Sequence, residues 1–342
     1  MAARVLVGMS GGVDSTVCAW LLLQAGYRVE GVTLWLWDPK AEKENACCSV
    51  NLAQLAAHEL GIPHSTVFAH HEFSRLVIEP TLAAYRAGIT PNPCVWCNSR
   101  VRFSLLAAEA DRRGIEWVAT GHHARLRREG DKVLLLAGRD PDKDQSYFLY
   151  ALSQAELARA IFPVGELTKP EIKDIARRLN LTAARLPESQ DLCFSLPEVD
   201  RPGPILDLGG RRLGTHRGLS RYTVGQRRGL GLSAPEPLYV VELRPEENAV
   251  VVGPEAALYR RALLVRQLHW TSGFPGAEFS CQVKIRYRSP AVPARVRVDG
   301  DAAQVEFAAP QRAVTPGQAA VFYDGEVVLG GGVISRALGQ AA

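Results

Sequence analysis

The stretch from residue 4 to residue 15, RVLVGMSGGVDS, constrains the fold of this chain more than any other. Its apolar run at 5–7 is typical of a buried parallel strand, and the glycines at 8, 11 and 12 predict a turn whose backbone can adopt positive φ. Asp14 and Ser15 begin a predicted helix. Such a strand, turn and helix direct backbone N–H groups and the positive end of the helix dipole toward one point, which suits a phosphate.

This turn differs from the two commonest phosphate-binding patterns. It lacks the Gly-Lys-Ser/Thr ending of a Walker A loop, and it is not the dinucleotide pattern G-x-G-x-x-G. A tight turn without a ligand is the alternative interpretation. Three glycines and an acid, placed where a doubly wound sheet binds its ligand, favour a phosphate site instead.

Strand and helix patterns alternate up to about residue 125, which predicts an α/β domain with a parallel sheet and helices on both faces. Ser49 is predicted to cap a helix in which Leu52, Leu55, Ala56 and Leu60 share one face. Strands are predicted at 28–36, 64–68, 115–120 and 132–137, and further helices at 72–87, 98–113, 146–152, 153–160 and 168–180.

The pattern changes after Cys193. Prolines and glycines between 197 and 210 predict a linker, residues 211–262 predict short strands, and residues 263–342 predict a small β-barrel or sandwich. Asp-Gly pairs at 299–300 and 324–325 predict hairpins.

The composition narrows the function classes. The 342 residues are enough for roughly two or three domains. No apolar run approaches the roughly 20 residues of a membrane span and no secretory signal is visible, so we expect a cytoplasmic protein without a membrane partner. The net charge is only +4, but the stretch 211–230 holds six arginines and no acid, which favours contact with a large anion such as nucleic acid.

The seven cysteines are an odd number and are unevenly clustered, which favours thiol chemistry or metal binding over a disulfide framework. In the segment TPNPCVWCN at 90–98, two X-Pro steps predict an extended chain before Cys94. Cys97 is predicted at the start of the 98–113 helix, where the dipole would favour the thiolate. With Cys193 in a distant loop, three interpretations stay open: a redox dithiol, a metal site, or unrelated buried thiols.

Taken together, the motifs resemble those of tRNA-specific 2-thiouridylases, enzymes that place sulfur on the wobble uridine of certain tRNAs. The matching motifs are, in chain order, SGGVDS, TPNPxxxCN, GHHAR at 121–125, DQSYFL at 144–149, ESxxxCF, GQRRGLG, KIRYR and TPGQxAxFYxxEVxLGGG at 315–332. The resemblance implies a parallel-sheet ATP-pyrophosphatase (PP-loop) domain at 1–195, a small central β-rich domain at 196–262 and a C-terminal β-barrel at 263–342.

The resemblance also implies roles for individual residues. Cys97 matches the nucleophile, and Cys193 matches the cysteine that receives a persulfide sulfur. ATP binding is implied for Gly8, Met9, Ser10, Gly11, Gly12, Val13, Asp14, Ser15, Leu34 and Gly121, and tRNA contacts are implied for Asn92, Pro93, Cys94, Lys143, Asp144, Gln145, Arg286 and Tyr287, with His122 and Gln318 as further candidates. The implied co-substrate is ATP with Mg²⁺, and the implied partners are tRNA and a persulfide or sulfide donor.

Cys94 departs from the commoner family pattern, which has Asp there. Three cysteines can bind three irons of a [4Fe-4S] cluster and leave the fourth iron open to carry sulfide. Cys94, Cys97 and Cys193 are therefore candidate ligands of such a cluster, and transfer through a Cys193 persulfide is the alternative. Cys47 and Cys48 are interpreted as structural, because adjacent cysteines are poor partners for one metal.

Two other functions compete with tRNA thiolation. A different PP-loop ATP-pyrophosphatase ligase would keep the glycine turn but not the paired cysteine motifs. A non-enzymatic iron–sulfur or RNA-binding protein would not need the intact SGGVDS loop.

Overall fold

The computed structural model describes residues 2–36, 49–187, 193–194 and 201–340. The α-helices are α1 (Val13–Gln24), α2 (Val50–Glu59), α3 (His70–Phe73), α4 (Glu79–Arg86), α5 (Pro93–Trp96), α6 (Phe103–Arg112), α7 (Gln154–Arg159) and α8 (Lys169–Arg178). Two π-helical segments, Ser74–Ile78 and Cys97–Arg102, join α3 to α4 and α5 to α6. Short 3₁₀ turns lie at Ser146–Phe148, Pro163–Glu166, Thr182–Arg185, Leu219–Arg221 and Glu255–Leu258.

Most strands fall into the predicted regions. The exceptions are a strand at Ala124–Glu129 that the sequence pattern does not predict, one at Ala160–Ile161 where a helix was predicted to end, and one at Gly203–Leu206 in the predicted linker. In chain order, the strands are β1 (Arg4–Gly8), β2 (Arg28–Trp35), β3 (His64–Phe68), β4 (Trp117–Thr120), β5 (Ala124–Glu129), β6 (Lys132–Ala137), β7 (Ala160–Ile161), β8 (Gly203–Leu206), β9 (Arg212–His216), β10 (Tyr239–Arg244), β11 (Ala249–Gly253), β12 (Tyr259–Trp270), β13 (Glu278–Lys284), β14 (Val292–Asp299), β15 (Ala302–Arg312), β16 (Ala319–Asp324) and β17 (Val327–Gln340).

The chain divides into two compact units. The first unit comprises Met1–Val77, Cys94–Ser195 and Glu326–Val328, and the second comprises Ile78–Pro93, Leu196–Gly325 and Leu329–Ala342. No helix within the described ranges is long and apolar enough to cross a membrane.

The first unit is built on a parallel sheet with strand order β3-β2-β1-β4-β7, as predicted. Val5, Leu6 and Val7 are fully buried in its central strand. The chain runs outward from β1 through β2 to β3 and then returns to the other side of β1 as β4. The loops after β1 and β4 therefore flank the point where strand order reverses, which is where open α/β sheets bind ligands.

Helix α2 begins as predicted but buries different residues. Ser49 caps it, because its Oγ accepts a hydrogen bond from the Leu52 N–H at 3.3 Å. The buried face consists of Ala53, Ala56 and Ala57, whereas Leu55 is 41% exposed. The alanines thus form the buried centre of the apolar face, and Leu55 lies at its exposed edge.

The helix that carries Cys97 begins earlier than predicted. It starts at Pro93, continues through the π-helical segment and ends at Arg112. Proline is pre-set for the first helical position, since its ring fixes φ and its missing N–H is not needed there. Cys94 therefore lies in the first turn and Cys97 in the second, so the dipole argument made for Cys97 applies to Cys94 instead. We call residues 93–112 the cysteine helix.

The second unit contains a four-stranded sheet and a closed barrel. The sheet has the order β10-β11-β8-β9, and the antiparallel barrel has the order β12-β15-β14-β13-β16-β17, closed by pairing of β12 with β17. Strand β8 lies in the predicted linker. Pro204 is tolerated there because β8 pairs with β11 only through Ile205 and Leu206. Both Asp-Gly hairpins are confirmed, since Gly300 and Gly325 adopt φ values of 58° and 57° between paired or successive strands.

We predict that Gly121→Ala destabilises the first unit. A Cβ at this position would lie 2.7 Å from the Asp14 carbonyl carbon and from the Ser15 nitrogen. Both are backbone atoms, which cannot move aside without distorting the chain. We expect a loss of about 1–3 kcal/mol in the free energy of unfolding, measured by urea denaturation. Gly209→Ala is the matched control, because its nearest atom is Asp207 Oδ1 at 3.4 Å. Equal losses in both variants would contradict the prediction.

Candidate active site

The turn after β1 has the geometry of an anion site. Gly11 adopts φ of +80°, and Gly12 occupies the position before α1 without any side chain to cap the helix. The Ser15 hydroxyl closes the turn by donating to Gly12 O at 3.0 Å and accepting from Ser10 N at 3.2 Å. The N-terminal N–H groups of α1 thus face the loop with no capping side chain, which suits phosphate oxygens.

Two close approaches hold this turn in place. Leu52 of α2 lies so near Gly11 that a Cβ there would come within 2.5 Å of the leucine Cβ. Gly121, in the loop after β4, lies equally close to the backbone of Asp14 and Ser15. The structure therefore assigns Gly121 a packing reason to be glycine. Leu34, the other predicted adenosine contact, is 7% exposed near the carboxyl end of β2.

Asp14 lies at the centre of a charged cluster. Lys169 Nζ donates to both carboxylate oxygens, at 2.6 and 2.8 Å, and His123 Nε2 lies 3.2 Å from Oδ1. The side chains of Lys169 and His123 are 8% and 3% exposed, while that of Asp14 is 32% exposed. The cluster thus places a buried cation directly beneath an acid that reaches the open end of the turn.

Burial opposes ionisation of Asp14, but the hydrogen bond to His123 and the charge of Lys169 outweigh it and hold its pKa below the ordinary value. Asp14 is therefore a carboxylate at neutral pH. The ATP-binding role implied for Asp14 would bring it near the Mg²⁺ that accompanies the nucleotide. In the structure both of its oxygens are engaged by Lys169, so Asp14 does not fit a magnesium ion in this arrangement.

His123 is held by the loop that precedes Ser146. Gln145 Oε1 accepts from the His123 N–H at 3.0 Å, and the Gln145 N–H donates to His123 O at 2.8 Å. A Cβ on Gly138 would come within 2.6 Å of His123 O. Within the described chain, His123 Nδ1 is buried without a hydrogen-bond partner. Gln145 therefore positions His123, and its contact with tRNA stays a prediction.

Two further predicted tRNA contacts are buried. Asp144 is 7% exposed, and its carboxylate accepts from the N–H groups of Gly138 and Ser146 at 3.0 Å each. His122 is 6% exposed, with its ring stacked on Phe103 at 5.9 Å. Asp144 thus organises its loop and His122 packs in the aromatic core, and their contacts with tRNA stay predictions. Lys143 is partly exposed and stays a prediction.

A second network supports the turn from the neighbouring strands. The Thr33 hydroxyl donates to Met9 O at 2.9 Å and lies 2.9 Å from His64 Nε2. Because the single hydroxyl proton is used on Met9, His64 must donate through Nε2–H. His64 Nδ1 is then the unprotonated nitrogen, and it is buried without a partner among the described residues. Burial first, and then the charge of Arg113, lower the pKa of His64.

Cys94, Cys97 and Cys193 lie in the first unit, whereas Cys281 lies in the second. Cys97 is buried at the start of the π-helical segment, where Phe103 N–H donates to Asn98 O, and Cys94 is partly exposed. Such widened turns are frequent at functional sites. Cys193 precedes Phe194, whose ring packs edge-on against Phe73 at 5.9 Å. Helix α3, which contains Phe73, in turn contacts the π-helical segment.

Cys94, Cys97 and Cys193 do not form a preorganised metal site. No group of three or more His, Cys, Asp or Glu side chains in the described ranges, which include Cys94, Cys97 and Cys193, is placed to hold a metal ion. Cys97 and Cys94 differ in burial, although cluster ligation needs all three thiolates to face one centre. The residues as arranged do not fit the predicted cluster. Cys47 and Cys48 lie outside the described residues.

In the second unit the predicted tRNA residues divide into two kinds. Tyr287 is partly exposed, with Lys284 Nζ 5.8 Å from its ring centroid, and Asn92 is partly exposed beside buried Pro93. Arg286 Nη2 instead donates to Val224 O and Ala313 O at 2.8 Å each. Gln318 Nε2 donates to Thr90 O and Pro91 O at 3.0 Å each.

Comparison with known proteins covers the whole chain. The family models described as tRNA methyl transferase HUP domain, tRNA methyl transferase PRC-barrel domain and aminomethyltransferase beta-barrel domain match residues 3–196, 195–254 and 260–334. The tRNA-specific 2-thiouridylase MnmA of Roseiflexus sp. (strain RS-1) is 46% identical, over 98% of this chain and 100% of that protein. That of Chloroflexus aggregans is 48% identical, over 98% and 99%. The chain belongs to the tRNA-specific 2-thiouridylase family.

Among solved structures, a U34-tRNA thiolase, NcsA from Methanococcus maripaludis with its [4Fe-4S] cluster, is similar to 56% of this 2-thiouridylase and covers 60% of that chain. The identity is 18% and the TM-score is 0.37. This similarity is too distant to bear on the chemistry.

Sequence reasoning about this 2-thiouridylase missed Lys169. Its backbone N–H is accepted by Asp140 Oδ2 at 2.9 Å, and a capping box of Thr168 and Glu171 begins α8 around it. One signal was available, because a lysine at the positive N-terminus of a helix is electrostatically unfavourable and calls for a nearby anion.

We predict that Asp14→Asn and Lys169→Met each destabilise the protein by about 1–3 kcal/mol, because each leaves one charge of a largely buried pair uncompensated. The double variant should lose less than the sum of the two, since neither charge remains. Urea unfolding at neutral pH measures all three. Additive losses would show that Lys169 and Asp14 are energetically independent.

We predict that His64 makes stability depend on pH. The folded state holds the pKa of His64 below its ordinary value of 6.5, so the unfolded chain binds the proton more readily. This contribution is complete above pH 6.5 and is lost as pH falls below it. The free energy of unfolding of the wild type should therefore fall toward that of His64→Gln on acidification. Replacing the exposed His58 is the control, and a pH-independent difference for His64→Gln would contradict the prediction.

Proposed function

We propose that this protein catalyses ATP-dependent 2-thiolation of the wobble uridine of tRNA, with ATP bound at residues 8–15. The observation that carries this proposal is the uncapped glycine turn at the switch point of the sheet, next to Asp14 and Lys169. Family membership supports the same reaction. Lys169 supplies a buried cation for the phosphates, and Asp14 pairs with that cation and orients it. Leu34 and Gly121 line the adenosine end of the site.

The first step activates the base. The uridine 2-carbonyl oxygen attacks the α-phosphorus of ATP, and pyrophosphate leaves with the electron pair of the broken P–O bond. Positioned N–H dipoles and the Lys169 ammonium stabilise the charge that develops on the departing phosphates. Mg²⁺ would accompany ATP as part of the substrate.

The second step transfers sulfur through Cys193 and Cys97. A persulfide donor first loads a sulfane sulfur on Cys193. The terminal sulfur attacks the activated ring carbon, and AMP leaves. The Cys97 thiolate then attacks Cys193 Sγ, which breaks the S–S bond, leaves sulfur on the base and forms a Cys97–Cys193 disulfide. A thiol reductant restores both cysteines for the next turnover.

We infer that tRNA binds residues of both halves of the chain. Asn92, Pro93 and Cys94 would face the target base. Tyr287 and Lys143 are partly exposed and suit stacking and phosphate contact. Exposed arginines in the GQRRGLG region and before it, at 217, 227 and 228, supply further cations. The domain division at 1–195, 196–262 and 263–342 is part of this proposal.

Thiolation by purified protein tests the proposal. The assay combines ATP, tRNA and a persulfide donor, and mass spectrometry measures 2-thiouridine, AMP and the masses of the cysteine peptides. We expect Cys97→Ser and Cys193→Ser to reduce 2-thiouridine to background. Cys193 should carry an extra sulfur before turnover, and the disulfide should follow it.

Cys281→Ser is the matched control. Burial raises the pKa of this barrel thiol to about 12, so it stays an unreactive thiol and its loss should not change thiolation. Cys94→Asp should support thiolation without iron. Joint loss of iron and activity in Cys94→Asp would instead favour the cluster route, and ATP cleavage without any sulfur transfer would favour a different ligase.

A further inference from the structure

Two residues matched to tRNA contacts, Arg286 and Gln318, direct their side chains into the second unit. Arg286 Nη2 donates to Val224 O and Ala313 O at 2.8 Å each and is also hydrogen-bonded to the Thr315 hydroxyl. One guanidinium nitrogen thus ties the residue just before the GQRRGLG motif to the turn that follows β15.

That turn, residues 315–318, is hydrogen-bonded to the segment before the cysteine helix. Gln318 Nε2 donates to Thr90 O and Pro91 O at 3.0 Å each, and the Thr90 N–H donates to Pro316 O at 3.1 Å. Gly317 adopts φ of +92°, and a Cβ there would come within 2.7 Å of Thr90 O. The contact is therefore a backbone-to-backbone approach, completed by one side-chain amide.

The amide chemistry of Gln318 limits what else it can bind. Its NH₂ group has two protons, and the two carbonyls of Thr90 and Pro91 accept both. A tRNA contact through this nitrogen would require at least one of these two hydrogen bonds to break. The segment continues directly through Asn92 into Pro93, the first residue of the cysteine helix. Because prolines at 91 and 93 fix φ, a shift at Thr90 is passed along the chain instead of being absorbed.

We propose that Gln318, supported by Arg286, is a positioning residue that fixes the path of the chain into the cysteine helix. It acts through the carbonyls of Thr90 and Pro91, not through contact with tRNA. The barrel thereby contributes to sulfur transfer by setting where the helix of Cys94 and Cys97 begins. We call the hydrogen bonds from Gln318 to Thr90 and Pro91 the brace. Its functional meaning rests on the role proposed above for Cys97.

The experiment compares Gln318→Leu, which keeps the size and removes both hydrogen bonds, with wild type. Four quantities are measured: the single-turnover thiolation rate at saturating tRNA, the Kd for tRNA, the urea unfolding midpoint, and the rate at which iodoacetamide alkylates Cys97 without substrates. We expect the thiolation rate to fall by roughly 10- to 100-fold while the Kd for tRNA changes by less than about twofold. The alkylation rate of Cys97 should change as well.

Two further variants are compared with Gln318→Leu. Gly317→Ala should reproduce the pattern, because it pushes the turn away from Thr90 by a different route. Arg228→Ala, at an exposed arginine of the same unit, should do the opposite: it should weaken tRNA binding, lower the salt dependence of log K by about one and leave the alkylation rate of Cys97 unchanged.

Three outcomes would overturn the brace. A higher Kd for tRNA with an unchanged rate would make Gln318 a tRNA contact. A lower unfolding midpoint with unchanged thiolation and alkylation would make it merely structural, and no change in any quantity would show that the contact is dispensable. If the wild type makes no 2-thiouridine but Gln318→Leu still alters Cys97 alkylation, the brace stands and the proposed function fails.

Discussion

The close approach of two loops, one after β1 and one after β4, underlies the rest of the candidate site. Gly121 lies against the backbone of Asp14 and Ser15 with no room for a side chain. The adjacent parallel strands bring both loops to one edge of the sheet, and the contact then sets the distance between α1 and the segment of His123. This short spacing lets Asp14 meet His123, while α8 brings Lys169 to the same carboxylate. The glycine turn and the acid therefore depend on one steric constraint, and α8 adds the buried cation.

Many of the motif residues support the site instead of lining it. Gln145 holds the backbone of His123, and Asp144 organises the loop that carries Gln145. Gln318 and Arg286 do the same for the segment before the cysteine helix. A polar side chain in a motif looks the same in sequence whether it binds a substrate or a carbonyl group. Burial and hydrogen-bond partners distinguish the two. The hydrogen bonds of these four residues favour positioning, and their contacts with tRNA stay predictions.

The cysteine helix shows how local geometry bears on chemistry. Pro93 moves the helix start forward, so Cys94 occupies the first turn and Cys97 begins a widened π-helical turn. The two cysteines differ in burial, since Cys97 is buried and Cys94 is partly exposed. Their roles and the route of sulfur transfer stay part of the proposal made above.

The sequence by itself determined the local elements and the family. The apolar run before SGGVDS, the alternation of strands and helices, and the Asp-Gly turns depend on neighbours a few residues away, and the structure has each of them. The tertiary structure alone decided the partners of the charges and amides. Lys169 meets Asp14 across 155 residues, and Gln318 meets Thr90 across 228. The periodicity of apolar residues carries no information about such pairs. It indicates which face of a helix or strand a residue occupies, but not which distant residue packs against that face.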